Sequence, residues 1–519
     1  MISCQLHQNY STLYNVTLIA HRQLVSQEVL SALQSIESVH SLLLVCLWPV
    51  PQEHHFDDPS WEHIGLAINA ALRFNCHNPL SENSPIRGWK VLGGAYANDL
   101  NITTQRKTWL ACFNISTQLS IFLGFSPKFS TPRQFKELKK AKDGVYSSMA
   151  EQPSFPLLAQ LELNQITCLY QSNIDTDEDI SSYFTSAAMF DSMLDQVKQK
   201  YLACWNSNLE VIFHGSKLYL YALSFVLVSK VSSTTSVHIS PNILAQHYLI
   251  LQRGLHSALQ LISAMTDISL SSSPATTNYP VRLLTFHAKS YFTHLYFAVM
   301  FIFRALVGSD HAIVLPQDRK TIVSALQDAS KIFRSFPQHR DHARAAINIP
   351  LLVHILRERA QNRLASGSLL ISRPHSLVVE NRLGASLLFD CSFHVWEERN
   401  RTMTPVGTGP NILHHRCQKL KDHNSLSQKK ISSWKTLSEQ CPEYLPDTPK
   451  PSPFPPLPPD SILVPQSEEM LAPGSFNSVN DASTDWGWSE FDRDIADCGV
   501  SFELPPVPPV MKAVCDDDY

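Results

Sequence analysis

The residues of this chain that could do chemistry are eleven cysteines, 22 histidines and a C-terminal run of acids mixed with aromatic rings. Thiolates bind zinc, or attack a substrate, only when they are held close to each other or to a base. Here the closest pair in sequence, Cys498 and Cys515, is 17 positions apart, and no Cys-x-x-Cys occurs. The histidine pairs His54-His55 and His414-His415 belong to no ligand or catalytic motif, and HExxH, GxSxG, the P-loop and GxGxxG are all missing. The expectation is therefore a protein that is not an enzyme, with no catalytic residue, no metal ligand and no cofactor of its own. An odd number of dispersed cysteines, with no signal peptide before them, points to a reducing interior.

The aromatic-acidic run has a chemistry of its own. In Asp485 to Ile495 the rings Trp486, Trp488 and Phe491 alternate with carboxylates, and Asp516, Asp517 and Asp518 follow. Residues 460–519 hold thirteen acids against Arg493 and Lys512, a net charge of −11 in a chain whose total is −4. Carboxylates keep such rings in water, and a partner groove can then bury them in one coupled step of folding and binding. That pattern is expected of an acidic activation segment, with a transcriptional coactivator as its partner. The plainer alternative is a solubilising tail.

Other elements must carry this tail. Sixteen glycines in 519 residues is less than half the usual share of about 7%, so tight strand turns and glycine-rich phosphate loops are scarce. An all-α body is predicted over residues 1–398, as a multi-helix, superhelical array, followed by a basic linker over 399–441 and a disordered Pro-rich and acidic tail over 442–519. The linker holds eight basic residues and one acid, Asp422, between Arg399 and Lys435. The stretch from Pro442 to Pro465 favours an extended polyproline conformation. The longest apolar stretch, Tyr291 to Val307, is interrupted by His294 and Arg304 and is shorter than a bilayer span of about 20 residues, so no membrane helix is expected.

Two helix-sized segments near the N-terminus are the most specific feature. In His55 to His77, Asp58 serves as helix cap and Pro59 as first-turn proline. Trp61, Ile64, Ile68 and Leu72 then form an apolar stripe, with Gly65, Ala67, Ala70 and Ala71 as small residues that let neighbours approach. In Thr104 to Pro127, Trp109, Cys112, Phe113, Leu119, Phe122 and Leu123 line one face, and Gly124 and Pro127 supply the stop. Arg106 and Lys107 sit near the start of that helix against its dipole, which suggests a partner carboxylate. His77 reads as a helix-end histidine bonded to backbone carbonyls.

These blocks together resemble the fungal-specific transcription factor domain, the middle homology region of the fungal binuclear zinc cluster transcription factors. The resemblance rests on Trp48-Pro49, Asp58-Pro59-Ser60-Trp61, the helix through Gly65, the block Arg106 to Trp109, and Leu123-Gly124-Phe125-Ser126-Pro127. Leu110 stands where the family has a second tryptophan, and Phe125 where it has an arginine. Leu218 to Val231 and Tyr291 to Val307 look like the family's later core helices, so the likeness is close over about 27–127 and continues to about residue 360.

The resemblance implies regulation of RNA polymerase II transcription, location in the nucleus, and contact with coactivators or a partner regulator, including a homodimer. It also implies a cysteine-rich zinc cluster for sequence-specific DNA binding, which these cysteines do not form, so zinc is expected only with a cluster encoded upstream and no DNA-binding residue is identified. A start at an internal methionine and a natural cluster-less relative are both open. The alternative reading is an α-helical scaffold with no direct transcriptional role.

Overall fold

The computed structural model describes residues 13–31, 33, 35–52, 58–79, 101–148, 155–173, 180–234, 240–270, 283–308, 316–336, 340–366, 377 and 382–403. The protein is all-α: among the described residues there are thirteen α-helices, three short 3-10 turns and no strand. All described residues but the last turn of the final helix belong to one compact unit, while a second unit, Asn400–Ser483, lies outside them apart from that turn. The basic linker, the Pro-rich stretch and Trp486, Trp488 and Phe491 fall outside the described residues as well.

Local sequence explains where several helices begin. Helix α1 spans Tyr14–Ser31, and α2, Ile36–Leu47, opens on Ser35, whose extended backbone lets its hydroxyl accept the Ser38 amide at 3.2 Å. Helix α3 runs Ser60–Arg73, and α4, Ile102–Leu123, opens on Asn101, which accepts the Thr103 amide at 2.7 Å. Helix α5, Pro132–Ser148, opens with a reciprocal pair: Gln134 Oε1 accepts the Thr131 amide at 3.0 Å, and Thr131 Oγ1 accepts the Gln134 amide at 3.3 Å. Helices α6 (Phe155–Asn173) and α7 (Ile180–Lys200) lead to α8, Ser207–Thr234, where Asn206 Oδ1 accepts the Leu209 amide at 3.0 Å. The remaining helices are α9 (Pro241–Leu270), α10 (Lys289–Gly308), α11 (Pro316–Arg334), α12 (Arg340–Ser366) and α13 (Ser386–Met403).

Many successive helices pack side by side, such as α2 on α3 and α8 on α9, and two hydrophobic cores result. The first is filled by α2 to α6 around Trp109, Phe113 and Phe129. The second, much larger, is filled from the end of α4 to α13 around α8 and α10. Both central helices are mostly apolar, with a few charged side chains paired to other helices. Ser207–Lys230 and Lys289–Val307 are long and apolar enough to cross a membrane, but other helices cover the first completely and the second for most of its length. The longest apolar stretch is thus in α8, not at Tyr291 to Val307.

Two details of the predicted α3 change. Its buried face is Ile64, Ala67, Ile68, Ala70 and Ala71, followed by Phe74, while Leu72 is 40% exposed. The helix packs against α2 and α4, and Ala70 and Ala71 take the buried positions beside Leu72. Pro59 occupies the cap position itself, and Asp58 acts from one residue earlier, its Oδ1 accepting the Ser60 amide at 3.0 Å.

Candidate functional site

The structure brings most of the signature positions together where α2, α3, α4, α10 and α12 meet. Trp48 follows α2, and its Nε1 donates to the His287 carbonyl at 3.2 Å, which fixes the end of α2 to the turn before α10; half-buried Pro49 follows it. Asp58 Oδ2 meets Lys289 Nζ at 2.9 Å, and the same ammonium meets Asp341 Oδ2 at 2.9 Å. Asp341 in turn pairs with Arg344. Four charged groups, one just before α3, one on α10 and two on α12, therefore form one relay.

Burial opposes ionisation of Asp58, yet Lys289 and the Ser60 hydrogen bonds outweigh it and hold this carboxyl below the usual range. The same contest holds Asp341 at about 2, through Lys289 and Arg344. Lys289 is pushed up, because its two carboxylates outweigh its own desolvation. Nothing local in the sequence marks Lys289 or Asp341 as partners of Asp58, since they lie in helices far along the chain.

Above this relay stands a ladder of alternating cations and rings. Lys128 Nζ lies 4.1 Å from the Trp61 ring centroid, Trp61 lies 5.1 Å from Phe125, and the Arg382 guanidinium carbon lies 4.8 Å from Phe125 and 5.7 Å from Phe389. A cation held over an aromatic face is attracted by the ring quadrupole, by about 0.5–2 kcal/mol according to exposure. The resemblance places an arginine at position 125; here the position is a ring, and Arg382 supplies a guanidinium over it. Gly124 ends α4 in the left-handed conformation, φ 65°, and a Cβ there would lie 2.1 Å from the Arg382 carbonyl oxygen. Half-buried Pro127 follows in the same turn.

The other signature residues are placed separately. Trp109 is 1% exposed, 5.0 Å from Phe129 and 5.8 Å from His77 by ring centroids. The Arg106 guanidinium lies over Gly144 of α5, where a Cβ would come within 2.3 Å of it. Among the described residues Arg106 has no carboxylate partner: its place is set by space, not by charge. His77 Nδ1 is buried without a hydrogen-bond partner, which corrects the expected bond to backbone carbonyls, and desolvation lowers its pKa. Gly65 needs no close approach, since a Cβ would meet only Lys128 Nζ, at 3.6 Å.

Two concavities adjoin these features. A cavity of about 50 Å³ lies beside the relay, between Cys46, Asp58, Trp61, Gln118, Phe122 and Lys289. A surface cleft of about 400 Å³ lies between α5, α6 and the end of α7, with Tyr146, Leu158, Ala203 and Cys204 on its apolar walls. In that cleft Glu162 accepts from Lys142 at 2.7 Å, Lys200 at 2.8 Å and the Tyr201 hydroxyl at 2.9 Å. The arrangement can hold a small polar molecule by exchange of these bonds. Elsewhere in the first core, burial pushes the thiols of Cys76 and Cys168 up to about 12, and those of Cys46 and Cys112 higher still, which makes these four poor nucleophiles.

No family model matches the chain, and no solved structure matches it. Over 103 residues it is 26% identical to "Transcriptional regulatory protein SEF1" of Candida albicans. The match covers 19% of this chain and spans 10% of that protein. Over that stretch the chain is similar to a fungal transcriptional regulator.

Proposed function

We propose that this all-α body is the regulatory region of a fungal transcription regulator of the zinc cluster type, acting in the nucleus. The observation that supports it is the similarity to a transcriptional regulatory protein, and the clustering of Trp48, Asp58, Trp61 and Gly124 around one junction agrees with it. In this reading the relay and the ladder join the two cores, and the cleft at Glu162 is where a small effector acts. The rings Trp486, Trp488 and Phe491 contact coactivators. DNA recognition comes from a partner or from a segment beyond these 519 residues, with zinc bound there. The chain itself performs no catalysis and enters no membrane.

The test is a reporter assay with the whole chain fused to a heterologous DNA-binding domain. Activation is expected, and its loss on changing Trp486, Trp488 and Phe491 together to alanine, because buried rings supply most of the energy of such contacts. A silent wild-type fusion that is nuclear and soluble overturns the activator reading. The unfused chain should bind duplex DNA only in a salt-sensitive, sequence-independent way. Selective retention of one operator at physiological salt would contradict that assignment.

A further inference from the structure

A second side-chain cluster lies far from the signature residues, at the junction of α12 and α13. His354 and Glu358 are one helical turn apart on α12, with Nε2 and Oε1 3.5 Å from each other. Glu398, near the end of α13, brings a third donor to them. The three ligand atoms all lie within 4.8 Å of one another. We propose that His354, Glu358 and Glu398 form a binding site for a divalent transition cation such as Zn²⁺, which joins α13 to α12.

Chemistry and geometry support the assignment together. Ligands around a tetrahedral zinc ion at about 2.0–2.2 Å sit about 3.4 Å apart, so the cluster must contract by roughly 1 Å. The two ligands on α12 can make that movement, because their side chains are 47% and 50% exposed, while Glu398 is buried and fixes the third corner. Two carboxylates balance the charge of a divalent ion. One imidazole selects for zinc-type cations over Mg²⁺ and Ca²⁺, which prefer all-oxygen sets. Three protein ligands leave a position for water or a further ligand.

The location gives the site a consequence. α13 is the last described helix, and its inner side is held by Asp390, 3.4 Å from Arg304, and by the Cys391 thiol, which donates to the Met300 carbonyl at 3.7 Å. The proposed ion would add a clamp at the opposite end of α13, next to the chain that continues toward the acidic tail. Sequence reading identified no metal ligand because only the 354/358 pair has ligand spacing. Glu398 joins it through the fold alone.

The test uses the full chain, stripped of metal, titrated with Co²⁺ and read by ligand-field absorption, then with Zn²⁺ in competition. Histidines and cysteines elsewhere also bind cobalt, so the comparison with variants decides. Wild type should show one saturable site more than His354→Ala and Glu358→Gln, or the same site at least a hundredfold tighter, beyond the roughly 10–100-fold expected of an outer-shell change. Zn²⁺ should raise the melting temperature of wild type and not of either variant, while Mg²⁺ should raise neither. Both substitutions are at exposed positions, and equal metal-free melting confirms intact folds; if His354→Ala melts early, His354→Asn replaces it. Identical titrations of wild type and the variants, or no thermal response of wild type to Zn²⁺, would overturn the proposal.

Discussion

The core around Trp109 is lined by rings, thiols and small side chains, whereas the larger core around α8 and α10 encloses charge. Arg304 is 2% exposed and Asp390 0%. In the first core α3 buries one face and shows the other to water, while α4, which carries Trp109, is enclosed along most of its length. In the second, α8 is buried all round and α10 over most of its length, and the charge inside is paired across helices, as Arg304 is with Asp390. His247 and His294 show the cost: desolvation, aided at His247 by Arg304, lowers them to about 4 and about 3, so both are neutral at physiological pH. The difference teaches that the first core is held by shape and volume, and the second also by completed pairs.

The largest expected effect is on that pairing. Arg304→Met should destabilise the protein by about 3–5 kcal/mol in chemical denaturation, because it removes the guanidinium beside the fully buried carboxyl of Asp390. The double variant with Asp390→Leu should recover most of the loss. A single variant as stable as wild type would erase the contrast between the cores.

Trp109→Ala should cost nearly as much, about 3–5 kcal/mol, through the cavity left among Phe129, Phe113 and Cys112. Trp61 is only half-buried under Lys128, so Trp61→Ala should cost less, about 1–2 kcal/mol, the ring–cation contact included. Equal melting shifts for the two would mean that the ladder is as deep a core as Trp109.

Glycines sharpen the comparison on a smaller scale. Gly124→Ala must strain the left-handed turn and displace the Arg382 backbone, a loss of more than about 1 kcal/mol. Gly65→Ala, in mid-helix with open space, should stabilise by about 0.5–1 kcal/mol. Thermal melting of the pair checks both signs.

The smallest effect is that of pH on the relay between the cores. Asp341 is held at about 2 against an ordinary 3.8, so its contribution is complete above about pH 4 and is lost as pH falls toward 2. A third of its side chain is exposed, so solvent screening limits the loss to on the order of 1 kcal/mol. Lys289 is raised, so its share is present below its ordinary value and is lost only in strong alkali, as pH rises through the folded one. Lys289→Met should flatten the acid limb of a pH–stability curve. An unchanged acid limb would detach the relay from stability.

How far the sequence could be read follows the same division. The two tryptophan helices were legible because stripe and stop agree, as at Trp109 and Gly124, although the cap at Asn101 was not read. Leu72 misled because Ala70 and Ala71, not Leu72, take the buried positions of the last turn of α3. Arg106 misled because charge suggested a carboxylate where the fold provides only room over Gly144. Arg382, Lys289, Asp341 and Glu398 carried no local signal at all. Each acts on a residue from which a long stretch of chain separates it, and periodicity does not report such meetings.

The long reach of the second core also sets a timetable for making the protein. Cys391 follows by 91 residues the Met300 carbonyl that it bonds, and Asp390 stands beside it. At ribosomal rates of about 5–20 residues per second, the guanidinium of Arg304 waits roughly 4–17 s for its carboxylate in a half-built apolar interior. During that interval α8 and α10 offer uncovered apolar surface to chaperones and to other nascent chains. Messages cut before codon 390 should yield aggregates instead of a smaller soluble protein.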